Sequence, residues 1–204
     1  MTPQEQDTGQ VQELLGAFYA GRIDRTAVRA SVMDVILARL GCQRVSMWKF
    51  EGSAGRLNLL CFASKTVGGE LDTRERRLLQ SEYRDYFNAL IERGTYVAGD
   101  AMNDPSLAAM RESYLVPNCV RSLLDAAFML NGRAYGKVCC EQTDAPRAWR
   151  AGDVLALRAI VTRMALLMSS QSDPVLLTTP SLPARPLSVR GARPTDASCD
   201  DGTG

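Results

Sequence analysis

Apolar residues follow two spacings along this chain, and the switches between them mark the elements. Val11, Leu14, Leu15, Phe18 and Tyr19 recur at helical spacing and predict an amphipathic helix that stops near Gly21. A second helix is predicted from Thr26 to Leu40, with Val28, Val32, Val35, Ile36 and Leu40 on one stripe and Gly41 as its C-terminal cap. The first helix is too short to be stable alone, so its apolar face needs either the rest of the domain or a second copy. Val45 to Phe50 alternates as a strand does, Glu51-Gly52-Ser53-Ala54-Gly55 is turn chemistry, and Leu57 to Ser64 is the return strand. The stretch 66–69 reads as loop, while Leu71 to Gln80 is charged and fits a helix or a mobile connection equally well.

Tyr83, Tyr86, Phe87, Leu90 and Ile91 form a helical stripe ending at Gly94, and Tyr96 to Gly99 is a short strand. Asp104-Pro105 is a helix start, because the carboxylate caps free amides and proline is tolerated at the first helical position. That helix carries Leu107, Met110, Arg111 and Tyr114 and must end before Pro117. Strands near 122–130 and 133–141 flank Asn131-Gly132, a turn-forming dipeptide between apolar runs. Asp153 to Met168 is a closing helix with Val154, Leu157, Ile160, Val161, Met164 and Leu167 on its apolar side. Residues 171–204 carry too few apolar side chains to offset the entropy of ordering, and a disordered tail is expected there.

The chain has 204 residues, enough for one ordinary domain and its ends. Its 24 basic residues nearly cancel its 23 acidic ones, with no basic stripe interleaved with aromatics, so nucleic-acid binding is not favoured. No apolar run approaches the roughly 20 residues needed to cross a bilayer, and the polar start lacks the regions of a signal peptide. A cytoplasmic protein without membrane association is the expectation. Cys42, Cys61 and Cys139 sit in apolar stretches, and no pair has C-x-x-C spacing, so no metal site is expected. Histidine is absent altogether, which removes the commonest general base and metal ligand.

The order of helix, two strands, helix, short strand, helix, two strands, helix resembles a GAF domain, and particular residues strengthen the likeness. They are Tyr86-Phe87 on the middle helix, the stretch Asp100 to Pro105, Ser122-Leu123-Leu124-Asp125, Gly136-Lys137-Val138-Cys139-Cys140-Glu141, and Arg147-Ala148-Trp149. The resemblance covers roughly 25–170, and the subtype looks like the GAF modules preceding histidine kinase or diguanylate cyclase domains in bacterial signalling proteins. It implies an α/β (α+β) fold: an antiparallel sheet with helices on both faces, and N- and C-terminal helices forming a dimer bundle. The implied organisation is an N-terminal amphipathic helix over 1–22, a GAF-like domain over 23–170 and the tail over 171–204. Some family features are missing. Gln142 stands where a histidine often follows in this subtype, and the cyclic-nucleotide motif is absent. Met110 and Arg111 occupy the places where the phytochrome-like branch carries a Cys-His pair, so no covalent bilin is expected there.

The resemblance also implies a ligand cavity between one sheet face and the middle helices. Its walls would come from Phe50, Cys61, Tyr83, Phe87, Asp100, Arg111, Tyr114, Ser122 and Leu124. Arg111 beside Tyr114 suits a carboxylate or phosphate clamp, or else a surface ion pair with Glu112 or Asp104. Asp125 and Glu141 lie in apolar strands and need partners such as Arg121, Arg147 or backbone amides; a structural knot is the expectation rather than acid–base work. Cys139 and Cys140 read as buried thiols, and Trp149 as a plug beneath the last helix. The functional expectation is a non-enzymatic, small-molecule-sensing homodimer of the bacterial cytoplasm that signals to a separate protein partner. Its ligand and any cofactor are not named by the sequence. The alternatives are a ligand-free dimerising adaptor, and a thiol-based redox sensor or methionine sulfoxide reductase-like enzyme.

Overall fold

A computed structural model describes residues 2–53, 55–130 and 133–169. The expected tail and the Asn131-Gly132 turn lie outside the described residues. Helix α1 (Pro3–Tyr19) starts in a reciprocal cap: Glu5 N–H donates to Thr2 Oγ1 at 3.2 Å and Thr2 N–H donates to the Glu5 carboxylate at 2.7 Å. Helix α2 (Arg25–Leu40) is capped by Asp24, whose carboxylate accepts from Ala27 N–H at 2.7 Å, and it ends at Gly41 with φ 56°. Strand β1 (Arg44–Ser53) and strand β2 (Arg56–Thr66) follow, then β3 (Arg76–Leu79), helix α3 (Arg84–Arg93) and strand β4 (Thr95–Ala98). After two helical turns come β5 (Ser122–Leu130), β6 (Arg133–Gln142) and helix α4 (Ala151–Ser169).

The charged stretch 71–80 is neither helix nor connection. Its second half is strand β3, paired antiparallel with β2 from Asn58↔Leu79 to Cys61↔Arg76, and Asp72 bridges Ser64 just before it. The Asp72 carboxylate is held by the Arg74 and Arg76 guanidiniums, so the charges that obscured the strand serve its edge. The single helix predicted after Asp104 is also divided. Pro105–Met110 is a 3-10 turn and Arg111–Leu115 a π-helical turn, closed by Val116 N–H donating to Arg111 C=O. The tighter winding puts Leu107 and Met110 in line and the wider one brings Tyr114 and Leu115 to the same side, so all four are buried.

The six strands form one antiparallel sheet in the order β3-β2-β1-β6-β5-β4. Its register slips twice. Met47 faces Ala63 but Trp48 faces Cys61, which leaves Phe62 as an extra residue; Phe128 faces Gly136 but Met129 faces Ala134, which leaves Tyr135. Two cores lie on opposite faces. Val45, Met47, Leu124, Ala126, Phe128, Val138 and Cys140 pack against α1, α2 and α4, whereas Trp48, Leu59, Cys61, Leu123, Ala127 and Cys139 pack against α3 and the turns over 105–115.

The apolar stripes that sequence analysis gave to a dimer bundle are used within one chain. Val11 and Leu15 of α1 and Leu157, Ile160, Val161 and Met164 of α4 are buried in the same core, with α1 lying on α4. The dimer bundle is therefore not carried by those side chains; the apolar residues that α4 leaves to solvent are Leu155 and Leu166. Among the described residues no helix is long and apolar enough to cross a membrane.

Candidate functional site

Strand alternation turns Lys137, Cys139 and Glu141 of β6 toward α3. Asp125 of β5 stands opposite Cys139 in the register, and Trp48 of β1 stands opposite Lys137. Tyr86 and Phe87 cover them from α3, Tyr83 from the residue that precedes it, and Tyr114 from the π-helical turn. This face carries two buried ion pairs within a frame of aromatic rings.

In the first pair, Lys137 Nζ lies 3.1 Å from Asp125 Oδ2 and donates to Tyr86 Oη, which donates in turn to the same Asp125 oxygen. Lys137 is 3 % exposed and Asp125 0 %. The ammonium also lies 5.1 Å from the Trp48 ring centroid and 5.0 Å from that of Tyr86. Burial is the largest single influence and works to depress the lysine, but the Asp125 charge and hydrogen bond, with Cys139 and Glu141, together outweigh it and hold the ammonium above the ordinary lysine range. Burial, and then the Asp125 charge, push the Tyr86 phenol well above its usual range. Asp125 Oδ1 is buried and has no hydrogen-bond partner among the described residues.

The second pair joins Glu141 to Arg44. Arg44 Nε donates to Glu141 Oε2 and its Nη2 donates to Asn118 C=O at 3.2 Å, while Tyr114 Oη donates to Glu141 Oε1 at 2.8 Å. Burial is the largest single influence and opposes the guanidinium's charge, but Glu141, Tyr114 and Cys139 together more than compensate, so Arg44 is held above its ordinary range. Tyr114 is raised well above the phenol range by burial and then by Glu141. Around the pairs, Trp48 Nε1 donates to Ser46 Oγ at 2.7 Å, and the Tyr83 and Ser113 hydroxyls are 2.9 Å apart. Tyr96 Oη donates to Asp104 Oδ1 at 2.6 Å.

The face is filled by its own side chains. Trp48, Phe87, Asp125 and Glu141 are all at 0 % exposure, so a sphere the size of water fits beside none of them. Tyr86 meets Phe87 and Tyr96 edge to face, with ring centroids 5.9 and 5.2 Å apart. Open grooves lie in the helical layer instead: about 710 Å³ between α1 and α2, lined by Gln6, Asp7, Gln10, Leu14, Val35 and Arg39, and about 510 Å³ beyond the end of α2. Burial pushes the Cys61 thiol up to about 11, and burial with the Asp125 charge puts Cys139 well above the thiol range, the opposite of the lowered value that favours a thiolate. Among the described residues no group of histidine, cysteine, aspartate and glutamate could hold a metal.

The structure brings together five of the predicted wall residues, Phe50, Cys61, Tyr83, Phe87 and Tyr114. The other four lie elsewhere. Leu124 belongs to the core on the opposite face, because the strand phase is one residue off the predicted one and Leu123, Asp125 and Ala127 face α3. Ser122 Oγ donates to Gly99 C=O at 2.7 Å and accepts from Arg147 N–H at 2.6 Å, tying β5 to the segment before α4. Asp100 is exposed in a turn, accepting from Asn103 Nδ2 at 2.8 Å. Arg111 is half-buried at the start of the π-helical turn and makes no ion pair with Glu112 or Asp104.

The partners of Asp125 and Glu141 are Lys137 and Arg44, not Arg121 or Arg147; Arg147 pairs with Asp153 at 3.2 Å and lies over the Trp149 ring. Sequence reasoning passed over Lys137, Trp48 and Arg44. The available signal was a lysine and a glutamate four residues apart on one face of an otherwise apolar strand.

This arrangement of sheet and helices is shared with solved photoreceptor and phosphotransferase domains. The phycocyanobilin-bound GAF domain from a cyanobacterial phytochrome is similar with a TM-score of 0.62 and 14% identity, covering 80% of this chain and 94% of that one. The blue-light-absorbing form of the Thermosynechococcus elongatus PixJ GAF domain gives 0.60 and 18%, over 72% and 86% of the two chains. The GAF domain from the Acinetobacter phosphoenolpyruvate-protein phosphotransferase gives 0.61 and 11%, over 83% and 95%. At these identities the likeness is one of fold. A search of curated proteins finds no match. The GAF domain family profile matches residues 24–168, which spans α2 through α4 and every strand between them. With that match and this topology, the chain belongs to the GAF domain family.

Proposed function

We propose that the protein is a small-molecule-sensing or regulatory module of bacterial signal transduction, acting in the cytoplasm as a homodimer that reports to a separate partner protein. The observation that carries this reading is the pair of buried ion pairs on the face toward α3. A purely structural core is served as well or better by apolar side chains of similar volume, so buried charge there is better accounted for by recognition or switching than by stability. Tyr114 links that face to the π-helical turn, and a ligand that displaced Tyr114 from Glu141 would move the turn. The exposed Leu155 and Leu166 on α4 are the apolar residues from which a dimer contact would be built. The module is read as non-catalytic: Lys137 stays protonated, and the thiols of Cys61 and Cys139 stay protonated too, which also weakens a thiol-redox reading.

A specific observation favours the adaptor as a second reading. The face is filled, and a tetrapyrrole like the one in the phycocyanobilin-bound neighbour has no room on it in this conformation. Native mass spectrometry of the protein purified from its own cytoplasm, compared with the denatured protein, separates the two readings. A mass excess per subunit that vanishes on denaturation supports the sensor and weighs its ligand. A dimer at the bare polypeptide mass supports the adaptor, and a bare monomer overturns the dimeric part of both.

A further inference from the structure

We propose that Trp48, Tyr86 and Asp125 form a recognition site for a primary alkylammonium group, and that in this structure the chain's own Lys137 side chain occupies it as a tethered internal ligand. The ammonium nitrogen has aromatic rings at 5.1 and 5.0 Å, a carboxylate oxygen at 3.1 Å and the Tyr86 hydroxyl as acceptor. Each partner presents negative potential to the same point: the Trp48 ring, the Tyr86 phenol oxygen and a carboxylate. An anion placed there would meet repulsion from all of them, and a neutral group would leave the Asp125 charge uncompensated. The site therefore selects by charge. Asp125 Oδ1, buried and without a partner, is further accepting capacity that a single lysine nitrogen leaves unused.

The second buried pair does not share this character. Arg44 is spread over Glu141 and the Asn118 carbonyl, so it clamps two segments rather than filling a cage. What distinguishes Lys137 is that its charged end sits against rings and a carboxylate on neighbouring elements, while only its aliphatic stem joins it to β6. Removing the stem and nitrogen while keeping the β-carbon deletes the equivalent of one n-propylammonium ion. The inference goes beyond the sensor and adaptor readings, since it concerns what already fills the face.

The test is Lys137→Ala in the full chain, melted in rising concentrations of n-propylammonium chloride, with 1-propanol at equal concentration and sodium chloride at equal ionic strength as controls. The expected result is a saturable rise in Tm of about 5 °C with the amine in the millimolar range. Propanol and salt give no such rise, the unsubstituted protein does not respond, and the response disappears in Lys137→Ala combined with Asp125→Asn. Should Lys137→Ala not fold unaided, refolding yield with amine against propanol is read instead, and only the amine is expected to restore it. Equal effects of amine and propanol, or no effect of either on Tm or on refolding, would overturn the proposal.

Discussion

Tyr114 Oη donates to Glu141 Oε1 at 2.8 Å, which pins the π-helical turn to the middle of the sheet through a carboxylate already paired with Arg44. Tyr114→Phe removes one hydrogen bond to a charged group and is expected to cost about 1.5–3 kcal/mol. Arg44→Met leaves Glu141 buried without its cation and is expected to cost about 3–5 kcal/mol. Urea unfolding of the two variants checks the order, with Arg44→Met the more damaging.

The Lys137–Asp125 pair makes a contrast between single and double substitution. Asp125→Leu alone strands a buried ammonium, and Lys137→Met alone strands a buried carboxylate, each at about 3–5 kcal/mol. The double variant removes both charges at once and should fall within about 1 kcal/mol of the parent, or above it. A double-mutant cycle in urea reads the coupling, and additive losses would contradict it.

Alkali should unfold the protein through this face. Tyr86, Tyr114 and Lys137 all have folded-state values raised above their ordinary ones, from burial and carboxylate neighbours for the phenols and from Asp125 against burial for the lysine. A raised value means stability fully present below the unfolded-state value, about 10 for these groups, and lost as pH rises through the folded one. Absorbance at the phenolate band should therefore show the Tyr86 and Tyr114 phenolates appearing only together with the loss of circular dichroism.

Gly136 of β6 stands opposite Lys49 of β1. A β-carbon there would lie 2.2 Å from the Trp48 carbonyl oxygen and 3.3 Å from Lys49 Cα, both backbone atoms that no rotamer change can move. Gly136→Ala is expected to cost about 3 kcal/mol by forcing the two central strands apart. A fall in Tm with loss of amide protection along 44–49 would report it.

The elements were legible in the sequence wherever a periodic stripe ended in a cap, as at Gly41 and Gly94. Strand β3 was not, because its four residues Arg76-Arg77-Leu78-Leu79 carry the charges of a sheet edge rather than alternation. The site was legible only in part, for a reason that can be counted along the hairpin. Pairing outward from Leu130↔Arg133 without interruption would set Asp125 opposite Val138, on the face of the helical core. The register shift at Tyr135 moves Asp125 opposite Cys139 and beside Lys137. No local propensity announces that extra residue, so the partner of Asp125 could not be read from the turn.

The other irregularity, at Phe62, makes the length of β2 part of its meaning. Counting back by twos from Ala63, which faces the helices, an uninterrupted strand would aim residue 61 and residue 59 at the helices as well. The extra residue reverses the phase, and Cys61 and Leu59 join Trp48 on the aromatic face. Deletion of Phe62 alone would therefore straighten the ladder without changing its phase: Ala63 would follow Cys61 directly, on opposite faces, and Cys61 and Leu59 would keep the aromatic face. Loss of Leu60 with the irregularity kept would instead turn Leu59 toward the helices, so where this strand changes length matters more than that it does, and tolerance of length and tolerance of sequence are separate properties of the same fold.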